Sequence, residues 1–243
     1  MKKYGLIGKN ISYSFSKKHF ENKFRTEGLT DCSYDIFDLQ QIDELEHLLQ
    51  DPEIRGLNVT IPYKRAVMEH LDRIDPQAAE IGAVNTVKID PDGRRHGYNS
   101  DVYGFRQALA PFLESHHERA LILGTGGASD AVAYVLRQLG IEYFFVSRQE
   151  RAGRYLTYEQ LTPAHVQGCP LIVNATPLGT FPHVDTCPPI PYQGLDERNL
   201  LFDLVYNPPE TLFMQKGKER GAAVCCGATM LELQAEKSWE LWQ

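Results

Sequence analysis

Ala120-Leu121-Ile122-Leu123-Gly124-Thr125-Gly126-Gly127-Ala128-Ser129 decides how this chain folds. An apolar run of strand length stops at a glycine turn. Ala131, Val132, Val135, Leu136 and Leu139 then recur at helical spacing. A strand, a glycine turn and a helix in that order open a βαβ unit. Glycines let backbone approach a pyrophosphate, and the free N–H groups of a helix N-terminus carry positive partial charge. In this context Gly124, Thr125, Gly126, Gly127 and Ala128 are expected to bind a dinucleotide.

On both sides of this stretch, short apolar runs alternate with helical segments. Strands are expected at 3–7, 33–38, 56–61, 83–89, 119–123, 143–147, 171–174 and 200–203. Helices are expected at 17–26, 41–50, 64–70, 100–112, 128–139, 211–220 and 229–242. Such alternation predicts an α/β fold with parallel sheets and crossover helices. The pattern breaks near Gly104–Ser115 and restarts with the strand before Gly124, which places a domain boundary there.

A chain of 243 residues is long enough for two modest domains. Its net charge of −7 and lack of a basic run leave no electrostatic footprint for nucleic acid or an anionic membrane. No stretch approaches the ~20 apolar residues that span a bilayer. Met1 to Gly8 is too short an apolar start for a signal peptide. The five cysteines are odd in number and lack metal-ligand spacing. They are expected to be reduced thiols of a cytoplasmic protein that binds no metal.

The second strand of the glycine-loop domain ends in Val146-Ser147-Arg148-Gln149, followed by Glu150-Arg151. NAD sites usually carry an acidic residue at this strand end, for the ribose hydroxyls. Ser147 and Arg148 stand there instead. A guanidinium can stack on adenine and fork onto a 2′-phosphate, which favours NADP. Glu150 keeps NAD open. Asn174 and Thr176, in Val173-Asn174-Ala175-Thr176-Pro177-Leu178-Gly179, end a third strand at the same edge, near the nicotinamide half of the cofactor.

Upstream, Gly56-Leu57-Asn58-Val59-Thr60-Ile61-Pro62-Tyr63-Lys64 starts as a strand but carries Asn58, Thr60 and Lys64. Pro62 breaks the ladder, so Lys64 is expected at a strand end, where open α/β folds place ligands. Ser14 and Ser16 alternate with aromatic residues before a helix and suit a carboxylate or polyol, although a serine there also suits a helix cap. Asn85 follows the apolar run Ile81-Gly82-Ala83-Val84, and a buried Asn needs partners or a ligand. Asp101 lies in Asn99-Ser100-Asp101, and Gln234 lies on the last apolar helix.

Assembled, these residues resemble the shikimate dehydrogenase family from Tyr4 to Trp242. Ser14-Phe15-Ser16 resembles its Ser-x-Ser, and Asn58 to Lys64 its Asn-Val-Thr-x-Pro-x-Lys. Ala83-Val84-Asn85-Thr86, Asn99-Ser100-Asp101, Gly124–Ser129 and Asn174–Gly179 follow in family order. Asp203-Leu204-Val205-Tyr206 with Pro208 and Thr211 comes next, and Gly227 to Gln234 closes the series. The chain departs from the family pattern at Asn10, Tyr13, Lys17 and Ser147.

The resemblance implies reversible NADPH-dependent reduction of 3-dehydroshikimate to shikimate. Lys64 and Asp101 would be catalytic. Ser14, Ser16, Asn58, Thr60, Asn85, Tyr206 and Gln234 would bind substrate. Leu204 and Gly227 would join the glycine loop, Ser147, Arg148, Asn174 and Thr176 in binding NADP. It also implies a mostly parallel-sheet substrate domain, 1–103 plus 221–243, and a Rossmann-like NADP domain, 104–220, with the active site in the cleft between them. The expected assembly is a monomer or homodimer. Two other readings stay open: a quinate/shikimate dehydrogenase using NAD, and a non-catalytic NADP- or shikimate-binding regulator on the same scaffold.

Overall fold

Period-two alternation orients the first sheet. In the computed structural model, which describes every residue except Ser12 and Tyr13, β1 spans Lys2–Gly8. The expectation attached to Tyr13 therefore lies outside the described residues. Tyr4 and Leu6 of β1 join one apolar cluster and Ile7 joins another, as successive side chains of a strand must. Helix α1 (Phe15–Thr26) starts at Ser14, whose hydroxyl accepts the Lys17 N–H at 3.3 Å. Next come β2 (Cys32–Asp38), α2 (Leu45–Leu48), β3 (Ile54–Val59) and β4 (Arg73–Ile74). Helix α3 (Pro76–Ile81) has Asp75 as its cap, Pro76 in its first turn and Gly82 closing it at φ 73°. Strands β5 (Thr86–Ile89) and β6 (Arg95–Tyr98) complete the six-stranded sheet, ordered β2-β1-β3-β5-β6-β4. Only β5 runs against its neighbours.

Helix α4 (Asp101–Leu109) leads to the second sheet. Its elements are β7 (Arg119–Leu123), α5 (Gly127–Gln138), β8 (Glu142–Ser147), β9 (Tyr155–Thr157), α6 (Pro163–Gly168), β10 (Leu171–Asn174), β11 (Leu200–Asp203), α7 (Leu212–Lys218) and β12 (Ala223–Cys226). Its order is β12-β11-β10-β7-β8-β9, and every pair is parallel. Leu121, Leu123, Ile172 and Leu201 pack with Phe213 and Met214 of α7 on one face. On β11, Phe202 alternates with Leu201 and meets Phe105 of α4 edge-on at 5.1 Å. Helix α8 (Ala228–Trp242) ends the regular structure.

The chain divides into two compact units, Met1–Tyr103 with Gln234–Gln243, and Gly104–Leu233. The division falls inside α4 and inside α8. The expected return to the first domain at residue 221 is too early. Ala223–Cys226 pairs in register with Leu200–Asp203, so it belongs to the second sheet. Only from Gln234 onward does the chain rejoin the first unit. There Ala235 and Trp242 of α8 enter the cluster that holds Tyr4, Phe20, Phe24 and Tyr34. Trp242 also donates its indole N–H to the Val87 carbonyl at 3.0 Å.

Candidate active site

In the first unit, β1 lies between β2 and β3, so the chain changes direction across the sheet between β1 and β3. Ligands of open α/β sheets gather outside the carboxyl ends of strands at such a switch. Ser14 follows β1, and Thr60 and Lys64 follow β3. The two turns are tied together by Thr60 N–H to Ile7 O at 2.9 Å and Lys9 N–H to Ile61 O at 3.2 Å. Lys64 sits in a turn and not in the expected helix at 64–70, whose regular part is a 3-10 helix at Ala66–His70. Its carbonyl accepts the Val84 N–H at 2.7 Å. Tyr63 donates its hydroxyl to the Leu39 carbonyl at 2.7 Å, which anchors the same turn.

The Lys64 Nζ donates to Asp101 Oδ2 at 2.6 Å, with side-chain exposures of 16% and 9%. Asp101 opens α4, where a carboxylate suits the positive end of the helix dipole. The two sequence-predicted catalytic residues thus form one shielded ion pair between groups 37 positions apart.

Around this pair lies a buried polar network. The backbone N–H of Ser100 donates to Asn85 Oδ1 at 2.7 Å, and Asn85 Nδ2 donates to Ser100 Oγ at 3.1 Å. Ser100 Oγ also donates to Gln234 Oε1 at 3.3 Å. Asn58 faces the α8 side of the sheet because its neighbours Leu57 and Val59 point into the opposite cluster. There Asn58 Nδ2 donates to Ser238 Oγ at 2.9 Å, and Tyr34 donates its hydroxyl to Asn58 Oδ1 at 2.8 Å. Ser16 lies beside that phenol and works against the rise that burial imposes on it. Burial holds the Tyr34 hydroxyl well above its usual pKa, so it stays a donor.

Asn58, Asn85 and Gln234 are therefore joined through Ser100 and Ser238, and Ser16 lies beside Tyr34. Ser14 is the cap of α1. Thr60 is half-buried beside Gly8, where an added Cβ would come within 2.5 Å of the Thr60 methyl. Tyr206 lies in the second unit, just past β11. Sequence reasoning missed Tyr34, Thr86 and Ser238. Ser238 stands four residues after Gln234, one helical turn along, and that spacing is the one signal that could have found it.

In the second unit the switch falls between β7 and β10, from whose carboxyl ends Gly124 and Ala175 extend. Gly124 has φ 109°, and a Cβ there would come within 3.0 Å of the Ala175 carbonyl oxygen. The turn thus needs glycine on two counts. Gly126 precedes α5, and no side chain caps the helix start. An added Cβ at Gly126 would meet nothing within 4 Å. Uncapped N–H groups beside open space suit a pyrophosphate. Asn174 Oδ1 accepts from Thr176 Oγ1 at 2.6 Å, and Asn174 Nδ2 donates to Asp203 Oδ1 at 2.9 Å. Thr211 donates to Asp203 Oδ2 at 2.6 Å, and the Val205 N–H donates to Oδ1 at 3.0 Å. Burial pushes the Asp203 pKa up to about 6 despite these bonds. Leu204 N–H donates to the Asn174 carbonyl at 2.9 Å, and a Cβ on Gly227 would sit 2.3 Å from the Leu204 carbonyl oxygen.

At the end of β8, the Ser147 hydroxyl donates to the Gln149 carbonyl at 2.7 Å and accepts the Gln149 N–H at 3.0 Å. It closes the turn that presents Arg148. Arg148 is exposed, and its charge opposes the rise that burial imposes on the nearby Tyr158 hydroxyl. Among the described residues no cluster of His, Cys, Asp and Glu could hold a metal ion. No helix of the described residues is long and apolar enough to cross a membrane.

Residues 6–87 match the family model for the shikimate dehydrogenase substrate binding domain. A shikimate dehydrogenase (NADP(+)) of Clostridium beijerinckii is 37% identical over 100% of this chain and 92% of that protein. The crystal structure of shikimate dehydrogenase 1 from Peptoclostridium difficile superposes with a TM-score of 0.87 at 35% identity, covering 100% of this chain and 92% of the other. Shikimate 5-dehydrogenase from Thermus thermophilus, solved in complex with NADP(H) and shikimate, gives a TM-score of 0.87 at 31% identity over 100% and 94%.

Proposed function

This chain belongs to the shikimate dehydrogenase family, and on that premise we propose that it catalyses the reversible NADPH-dependent reduction of 3-dehydroshikimate to shikimate. The observation that carries the reading is the 2.6 Å contact between Lys64 Nζ and Asp101 Oδ2 beside the buried Asn85–Ser100 pair. NADPH, when bound, supplies the hydride that reduces the ketone carbon. The chain's own residues do the rest. The Lys64 ammonium donates the proton that the developing alkoxide needs, and the Asp101 carboxylate orients that ammonium and relays to the resulting amine a replacement proton taken from solvent. In the oxidative direction the pair takes the proton of the shikimate hydroxyl. Ser14 and Ser16 hold the carboxylate; Asn58, Thr60, Asn85, Tyr206 and Gln234 hold the ring. Gly124 to Ala128, Asn174, Thr176, Leu204 and Gly227 hold the cofactor, with Ser147 shaping the turn and Arg148 reading the 2′-phosphate. The reading places the enzyme in the cytoplasm, as a monomer or homodimer that binds no nucleic acid.

An absorbance assay at the NADPH band, with shikimate and quinate each crossed against NADP and NAD, tests this reading. The expected result is fastest turnover with shikimate and NADP. Preference for quinate with NAD would reassign the substrate, with exposed Glu150 then serving the ribose. Tight binding of shikimate without turnover would make the chain a binding protein.

A further inference from the structure

Ser238 is wholly buried, yet four polar atoms surround its hydroxyl oxygen. They are Thr86 Oγ1 at 2.8 Å, Asn58 Nδ2 at 2.9 Å, the Gln234 carbonyl at 2.9 Å and Ser100 Oγ at 3.0 Å. A serine hydroxyl has one proton to give and two lone pairs to receive with. We propose that Ser238 is a positioning residue that fixes which way the amides of Asn58 and Asn85 face, so that both offer N–H donors to the oxygens of a ring polyol. This inference rests on the reading of the first unit as the shikimate site.

The direction of both amides in this network is fixed by groups that can only accept or only donate. The Gln234 carbonyl can only accept, so the Ser238 proton goes there. The Ser238 oxygen is then an acceptor toward Asn58, which fixes Nδ2 on that side. Asn58 Oδ1 is left facing Tyr34, whose hydroxyl donates to it. Ser238 also accepts from the Thr86 or Ser100 hydroxyl. Ser100 in turn holds Asn85, because its backbone N–H can only donate and lies 2.7 Å from Asn85 Oδ1. With both amide oxygens engaged inside the protein, the network can present to a ligand the second Nδ2 hydrogen of Asn85 and that of Asn58, which is held only by a long 3.5 Å contact to the Asn85 carbonyl. A ligand matched to this arrangement offers acceptor oxygens there, as the hydroxyl groups and ketone of a cyclohexene polyol do.

A residue that only filled space would affect stability and nothing else. The prediction for Ser238→Ala is an increase of about tenfold in shikimate KM and Kd, because one amide loses its fixed orientation. The KM for NADP should stay within about twofold, and kcat should fall less than KM rises. Tyr34→Phe removes the other restraint on Asn58 without a cavity and should raise shikimate KM in the same sense. It carries the test if Ser238→Ala does not fold. Ser238→Thr, which keeps the hydroxyl, should recover most of the lost affinity. Shikimate KM and Kd within twofold of wild type in Ser238→Ala, or in Tyr34→Phe where the first does not fold, would overturn the proposal. So would equal weakening of shikimate and NADP. Failure of the wild-type protein to bind shikimate at all would instead overturn the functional reading beneath it.

Discussion

At the scale of single residues, the exposed Arg148 is held out by a Ser147 hydroxyl that bonds both polar groups of Gln149. Among the described residues it forms no ion pair with Glu150. A guanidinium so placed can take a 2′-phosphate through charge-assisted bonds. Arg148→Ala should lower kcat/KM with NADP by about ten- to a hundredfold, the range of a lost charged hydrogen bond, and leave the NAD value within about threefold. Steady-state kinetics with both cofactors check this, and equal loss for both would remove Arg148 from recognition. Lys64 was legible in the sequence because a lysine follows a strand interrupted by Pro62. Asp101 suits a helix start and was singled out by the resemblance of Asn99-Ser100-Asp101 to the family motif. Tyr34, Thr86 and Ser238 break no rule. Tyrosine and threonine are ordinary strand residues, and one serine on a fifteen-residue helix is unremarkable. Their importance comes from neighbours brought close by the fold, with 152 positions separating Thr86 from Ser238.

At the scale of elements, Gly227 joins β12 to α8 where backbone passes over backbone. An added methyl would lie 2.3 Å from the Leu204 oxygen and 2.7 Å from its carbonyl carbon, atoms that cannot rotate away. Gly227→Ala should cost about 1–3 kcal/mol in urea unfolding. It should also raise the KM for NADP, since the displaced Leu204 is hydrogen-bonded to Asn174. Unchanged stability would show that the crossing has room. The strands at Arg119–Leu123, Leu171–Asn174 and Leu200–Asp203 were readable to the residue because both faces are covered, which makes them continuous apolar runs. β4, β6, β9 and β12 were not read. They are short, and Arg95-His96-Gly97-Tyr98 carries little apolar signal. Helices α3 and α6 are six residues each, too short for periodicity, although Asp75-Pro76 and Thr162-Pro163 are start signals that could have announced them. Overlooking β12 is what moved the expected domain boundary to residue 221.

At the scale of the whole molecule, stability should carry the signature of Asp203. In the unfolded chain this carboxyl titrates near its ordinary value of 3.8, and in the folded protein burial moves it to about 6. Between those values the folded state keeps a proton that the unfolded chain has lost. Stability from this group therefore falls as pH rises through that window and stays lower above it, by at most roughly 3 kcal/mol. Asp203→Asn should flatten that slope in urea titrations between pH 4 and pH 7, whatever it does to absolute stability, and an unaltered slope would contradict the assignment. Turnover depends on the whole molecule as well, because the proposed proton donor and the cofactor loop belong to different units. The central claim is that Lys64, held 2.6 Å from Asp101, moves the proton. The most direct test is kcat of Lys64→Ala at saturating shikimate and NADP, with shikimate binding measured by calorimetry on the same protein. The account predicts a fall of about 10²–10⁴ in kcat with binding retained; kcat near wild type would contradict it.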